Sequence, residues 1–299
     1  MRPTITMCLL ALATLQLSVS AQKPIRISED SIVYGAAKYP CITVTIPEVG
    51  YERTEKNWIK ELQIGTKSRV IDENGEMSIF GAIIKDISLN PMNIYSKLTS
   101  QDSVLQLLVS FELKKDIYIS KSTGDAELIA AKEYLKEFAR NQYIGLIREE
   151  VMAEEKELRD LNTELNSLQN AKSRMQRSIQ SNQTLIKEMK DNIIFQNSEL
   201  TKVSADLVSQ NDLLSSMEEG SAKEEKASFV KELEKRKKKI LNEIESSENK
   251  ITRANSEINE AEREIPRNES QQETMRAKIN QQEAIVNKFN DKLNTVKAW

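Results

Sequence analysis

The 299-residue sequence contains no histidine. That excludes Ser-His and Cys-His nucleophile pairs, the commonest general base, and every histidine-ligated metal site. Cysteine is nearly as scarce, with only Cys8 and Cys41, and neither belongs to a C-x-x-C pair. No P-loop and no G-x-G-x-x-G stretch occurs. Positive charge is not in excess either: 43 Lys and Arg stand against 46 Asp and Glu, without the surplus a nucleic-acid binder needs. The expectation is therefore a protein without catalytic residues, cofactor, metal or nucleic acid. Acidic pairs such as Glu149-Glu150 and Glu154-Glu155 read as solvated helix face.

Glycine and proline are missing from one half of the chain. Of eight glycines only Gly220 lies beyond Gly145, and of six prolines only Pro266 lies beyond Pro91. The first half reads as turn-containing globular sequence and the second as helix without punctuation.

Long apolar runs are absent, apart from a short one at the start. Arg2, the mostly apolar residues 5–17 and the small residues Val19-Ser20-Ala21 before Gln22 fit a secretory signal peptide over 1–21. The run is too short to span a bilayer comfortably, so no integral membrane segment is expected after cleavage. The mature chain is expected to be exported, periplasmic or extracellular, and soluble. It would keep one thiol, Cys41, at the head of the alternating stretch Cys41-Ile42-Thr43-Val44-Thr45-Ile46, where a buried strand thiol is the simpler reading.

Residues 22–124 read as an α/β head. After the strand at 41–46 comes a helix through Trp58, Ile59 and Leu62, with Thr54 as N-cap and Gly65 as its stop. Asp72-Glu73-Asn74-Gly75 marks the turn of a hairpin between strands near 68–71 and 77–87. Asn90-Pro91 reads as the start of a short helix to Leu98. Residues 104–113 are a strand with Leu105, Leu107, Val109 and Phe111 on one face, and a short strand follows at 117–119. The order β-α-β-β-α-β with an added strand is that of the ferredoxin-like split βαβ sandwich. Leu128, Ala131, Leu135 and Phe138 then form an apolar helical stripe, so 125–146 is expected to be a connecting helix packed on the head.

From Val151 onward one heptad repeat dominates. With Val151 at position a, the a positions run Leu158, Leu165, Lys172, Ile179, Ile186, Ile193, Leu200, Leu207 and Leu214. A second register starts at Val230 and continues to Val296 without a phase slip at Pro266, so a kink is expected there rather than a helix end. Residues 147–299 thus read as an antiparallel coiled-coil hairpin with its turn at 218–222. Arms of ~70 residues would each run on the order of 105 Å. Folding about Gly220 pairs residues whose numbers sum to 440: Leu207 faces Leu233, Leu200 faces Ile240, and Lys172 shares a layer with Asn268.

Three features invite a functional reading. The acidic turn, Glu218, Glu219, Glu224 and Glu225, is a candidate contact for a partner, though carboxylates also suit the start of a helix. Residues 235–239 (Lys-Arg-Lys-Lys-Lys) read as a charged helix face, with a phosphate or headgroup patch as the alternative. Asn182 and Asn268 match the glycosylation acceptor pattern but occupy d positions of the seam, which favours a bacterial source where such sites go unused.

The expected function is that of an exported, non-enzymatic structural or interaction protein of a bacterial envelope. Its arm would serve as spacer, clamp or docking element for protein partners, with a homo-oligomer possible. In broad architecture this resembles tentacled periplasmic chaperones and the hairpin adaptors of export systems. The chaperones are usually strongly basic and the adaptors membrane-anchored, and neither trait is read here. A client-binding chaperone is the alternative, and an enzyme with a histidine-free site in the head is the third reading.

Overall fold

A computed structural model describes residues 24–73, 75–101 and 104–299. The expected signal segment and Cys8 lie outside the described residues. Within those bounds the chain is a mixed α+β protein. A seven-stranded antiparallel sheet is followed by two very long helices, α2 (Asp125–Ser216) and α3 (Ser221–Lys297). The chain divides into two compact units, one running to Ala153 and including Val286–Trp299, the other Glu154–Ile285. No described helix is both long and apolar enough to cross a membrane.

In the first unit the strands are β1 (Ile27–Tyr34), β2 (Ala37–Pro47), β3 (Ile71–Glu73), β4 (Glu76–Ala82), β5 (Met92–Gln101), β6 (Val104–Lys114) and β7 (Ile117–Tyr118). One helix, α1 (Tyr51–Leu62), separates β2 from β3. The sheet order is β1-β2-β6-β5-β4-β3, with β7 also paired to β6.

This departs from the split βαβ order. The segment expected as a second helix is strand β5, in which Met92, Ile94, Ser96 and Leu98 are buried while Asn93, Tyr95, Lys97 and Thr99 are half-buried. That period of two decides the matter over the helix-start signal of Asn90-Pro91. β1 was not anticipated. Its Ser28-Glu29-Asp30-Ser31 stretch is polar because the strand forms a sheet edge, paired only to β2. Thr54 is not the N-cap of α1. The helix starts at Tyr51 after Gly50, and Thr54 is buried in the first turn with its hydroxyl donating to the Gly50 carbonyl (3.0 Å).

Other expectations match the structure. The hairpin turns at Gly75, whose φ of +81° a side chain would resist, although its strands are β3 (Ile71–Glu73) and β4 (Glu76–Ala82) and not the expected 68–71 and 77–87. Leu105, Leu107, Val109 and Phe111 are all buried, and Cys41 is a buried strand thiol.

The core fills one face of the sheet. Val44, Ile79, Ile94 and Leu107 meet Trp58 and Leu62 of α1 and Leu128, Leu135 and Phe138 of α2. Trp58 is fully buried, donates Nε1–H to Ser96 Oγ at 2.9 Å and meets Phe138 edge-on at 4.9 Å between ring centres. Gly145 of α2 faces the end of the Arg53 side chain of α1: an added Cβ there would lie 2.9 Å from Arg53 Nη2. The last turns of α3 close the same core through Leu293 and Val296.

In the second unit the two helices run side by side, and their cross-arm contacts fix the register. Lys172 meets Glu269 at 2.6 Å, Asn182 meets Glu257 at 3.0 Å, Asn192 meets Ser247 at 3.1 Å and Glu199 meets Arg236 at 2.8 Å. Gln210 accepts from Lys226, and Gln282 donates to Glu154. The numbers of these pairs sum to between 435 and 441, bracketing the expected layers and no heptad-shifted alternative. Val203, Leu207, Val230, Leu233 and Ile240 form a dry stretch of seam. Lower down the polar members are satisfied locally: buried Asn268 accepts from Gln272 at 2.7 Å, beside the Lys172–Glu269 pair. Pro266 lies inside α3, which continues to Lys297.

Candidate functional site

The four glutamates singled out from the sequence flank the connection between α2 and α3. Glu218, Glu219, Glu224 and Glu225 are all exposed. Lys223 sits one turn from Glu219 and pairs with it at 2.8 Å, while Glu224 occupies the first turn of α3, where the helix dipole favours a carboxylate. The amides of Lys223 and Glu224 close the turn on the Gly220 carbonyl. The glutamates share a region without converging: among the described residues no group of three or more carboxylates or thiols is placed to hold a metal ion. What they offer is a solvated acidic end.

The basic run is a charged helix face. Arg236 pairs with Glu199 across the seam, Lys239 lies 3.9 Å from Glu243, and Lys237 is half-buried at its a position.

A more built arrangement lies on the sheet, on the face opposite the core. Antiparallel partners share a face, so the pairings Ile32↔Tyr39, Glu112↔Asn93, Ser110↔Tyr95 and Glu112↔Tyr118 bring residues from five strands together. Tyr34 of β1, Tyr39 of β2, Tyr95 of β5 and Tyr118 of β7 gather there, with Phe80 of β4 at the margin. Tyr39 and Tyr95 stack at 5.3 Å with planes 14° apart, Tyr39 and Tyr118 lie 5.0 Å apart, and Tyr34 leans on Tyr95 at 5.3 Å. Phe80 meets Tyr95 edge-on at 6.2 Å. The tyrosines are half-buried and Phe80 is exposed, so the ladder reaches solvent.

Beneath the rings sits Glu112, only 7% exposed. Its Oε2 accepts from Asn93 Nδ2 at 2.8 Å and from the Tyr95 hydroxyl at 3.2 Å, and its Oε1 from the Asp116 amide at 3.0 Å. The Tyr118 hydroxyl lies close enough to feel the Glu112 charge. Burial pushes this carboxyl up, but the hydrogen bonds prevail and hold it below the usual carboxylate range. Burial and the nearby Glu112 charge push the Tyr95 and Tyr118 hydroxyls up to about 12, so both stay neutral phenols. Among the described residues Glu112 makes no ion pair, and Lys97, on the same face, is already paired with Glu76 at 2.9 Å. Asp116 holds φ +61°, a left-handed conformation that aims its amide at Glu112.

Sequence reasoning missed this face. Its aromatics are scattered from Tyr34 to Tyr118, and only the strand order brings them together. The usable signal was the alternation in β5, which puts Tyr95 opposite the apolar series. No protein-family model matches the sequence, and comparison with curated proteins finds no match.

Proposed function

We propose that this chain is an exported, non-enzymatic interaction protein of a bacterial cell envelope, working by contact through its helical arm and its sheet face. The observation that carries the reading is the arm. Residues 154–285 form a compact unit whose interior is the seam between two helices, closed by cross-arm pairs such as Lys172–Glu269 and Arg236–Glu199. Such a build holds two helices in fixed register and presents charged surface along them, as a spacer, clamp or docking element does. The acidic turn at Glu218, Glu219, Glu224 and Glu225 supplies one contact, suited to a basic partner. The tyrosine face supplies a second, since tyrosines offer large contact area at low entropic cost.

A second reading, a client-binding chaperone, is favoured by one observation. Ile194, Phe195, Val208, Leu213, Phe229 and Leu241 of the arm are all at least 45% exposed. Scattered apolar side chains on a charged helical surface suit weak contact with many unfolded chains.

Photo-crosslinking residues placed at Glu219 and at Phe80, the exposed margin of the tyrosine face, in the native envelope separate these readings. A docking protein gives one or two discrete adducts, whereas a chaperone gives a smear of clients and suppresses client aggregation at stoichiometric ratio. Absence of any adduct from both positions contradicts the proposal. Sequencing the N-terminus of the mature protein tests export, which predicts a start near Gln22.

A further inference from the structure

The tyrosine face carries more than contact area. Glu112 is a buried carboxylate whose donors, Asn93, the Asp116 amide and Tyr95, are all neutral. Its negative charge is thus solvated by the protein without being cancelled. Directly above it lie aromatic rings whose faces are themselves electron-rich. Since Tyr95 turns its hydroxyl proton inward to Glu112, it presents ring and oxygen, not a donor, to a ligand. Asp30, on the outer face beside Cys41, adds a further negative charge, while Lys97, a cation of the same face, is engaged by Glu76.

We propose that this face binds an arginine side chain presented by a partner protein. Its guanidinium would lie against the rings of Tyr39, Tyr95 and Tyr118, above Glu112. Charge complementarity supplies the argument: the surface is aromatic with an unpaired carboxylate beneath it, and the matching group is apolar on its faces and positive. Arginine fits better than lysine because a guanidinium is more weakly hydrated than an ammonium and loses less on leaving water. A saccharide would stack on the same rings but would gain nothing from the Glu112 charge, so dependence on that charge discriminates between them.

The inference rests on the reading of the chain as a contact protein and specifies the chemistry of one of its surfaces. The test titrates the full chain with a capped tetrapeptide containing two arginines, with its citrulline counterpart, which keeps the shape but not the charge, and with its lysine counterpart. Tyrosine side-chain NMR shifts report binding. The expected order is arginine, then lysine, then citrulline, with the arginine peptide about tenfold tighter than citrulline. Glu112→Gln and Tyr39→Leu should each remove most of that difference, and Glu137→Gln, on α2, should not change it. Thermal melting verifies that each variant is folded. If Glu112→Gln fails to fold, Tyr39→Leu, outside the Glu112 hydrogen bonds, decides alone.

Equal binding of the arginine and citrulline peptides overturns the inference, as does preference for a neutral oligosaccharide such as maltohexaose, or no binding at all. Those results leave envelope crosslinks at Glu219 intact. Loss of every crosslink contradicts the broader reading instead.

Discussion

Lys292 Nζ lies 2.6 Å from Glu48 Oε2, across 244 positions of sequence. The same ammonium is 3.6 Å from Glu150 Oε2 and 5.3 Å from the centre of the Tyr143 ring, so one side chain ties the last turns of α3 to the β2–α1 loop and to α2. Glu48 holds a left-handed φ of +62°, which a non-glycine residue adopts only when its surroundings compensate.

Replacing Lys292 with methionine keeps most of the packing and leaves two carboxylates facing each other without a cation. Lys292 is 22% and Glu48 30% exposed at the side chain, so solvent screens part of the interaction. The expected loss is about 1 kcal/mol, read as a lower urea midpoint in tryptophan fluorescence. An unchanged midpoint means the contact contributes only geometry.

Trp58 is the largest fully buried side chain and the hinge of the core between α1, β5 and α2. Trp58→Ala should cost about 3–5 kcal/mol, while Trp58→Phe, which keeps most of the apolar volume but not the bond to Ser96, should cost far less. Equal losses for the two variants would show that the hydrogen bond, not the volume, matters.

Gly145 sits inside a helix, where glycine is unfavourable. The atom an alanine Cβ would meet is the far end of Arg53, a flexible side chain that can swing aside at the expense of its 2.5 Å contact with Glu149. Gly145→Ala is therefore expected to be stabilising by about 0.5 kcal/mol. Destabilisation of that size or more would show that Arg53 is pinned and that the glycine is required for the α1–α2 approach.

The pH dependence follows from the tyrosines and Glu112. Tyr95 and Tyr118 are raised from 10 to about 12 in the folded state. Their contribution is complete below pH 10 and is lost as pH rises through 12. Glu112 is shifted the other way, so its contribution is present above the ordinary carboxylate range and is lost as pH falls. Burial also raises the hydroxyls of Tyr51, Tyr134 and Tyr143. Absorbance at 295 nm during alkaline titration should therefore show these five of the seven tyrosines ionising late, together with unfolding. A smooth transition centred at 10 for all seven contradicts the packing described.

Much of this architecture was readable in advance where one periodicity acts alone. The heptads from Val151 specify the seam because every turn repeats the same burial demand, and β6 alternates cleanly from Leu105 to Phe111. The misreadings arose where two local signals competed or tertiary context decided. Pro91 looked like a helix start although the residues after it alternate, and the polar β1 exists because β2 offers it an edge. Thr54 has the chemistry of a cap, yet Gly50 precedes it and the helix starts earlier. The tyrosine face lay beyond local reasoning altogether, since Tyr34, Tyr39, Tyr95 and Tyr118 meet only once β1, β2, β6, β5 and β7 are paired.

The central claim is that the second half of the chain is one antiparallel hairpin in the register that sets Leu200 opposite Ile240. Cysteines at those two positions, in a background with Cys8 and Cys41 changed to serine, test it by mild oxidation followed by non-reducing electrophoresis and peptide mapping. The account predicts a link within one chain that joins Leu200→Cys to Ile240→Cys and that is lost when the second cysteine is moved to position 247. Links formed only between chains, or formed equally well at 247, would contradict it.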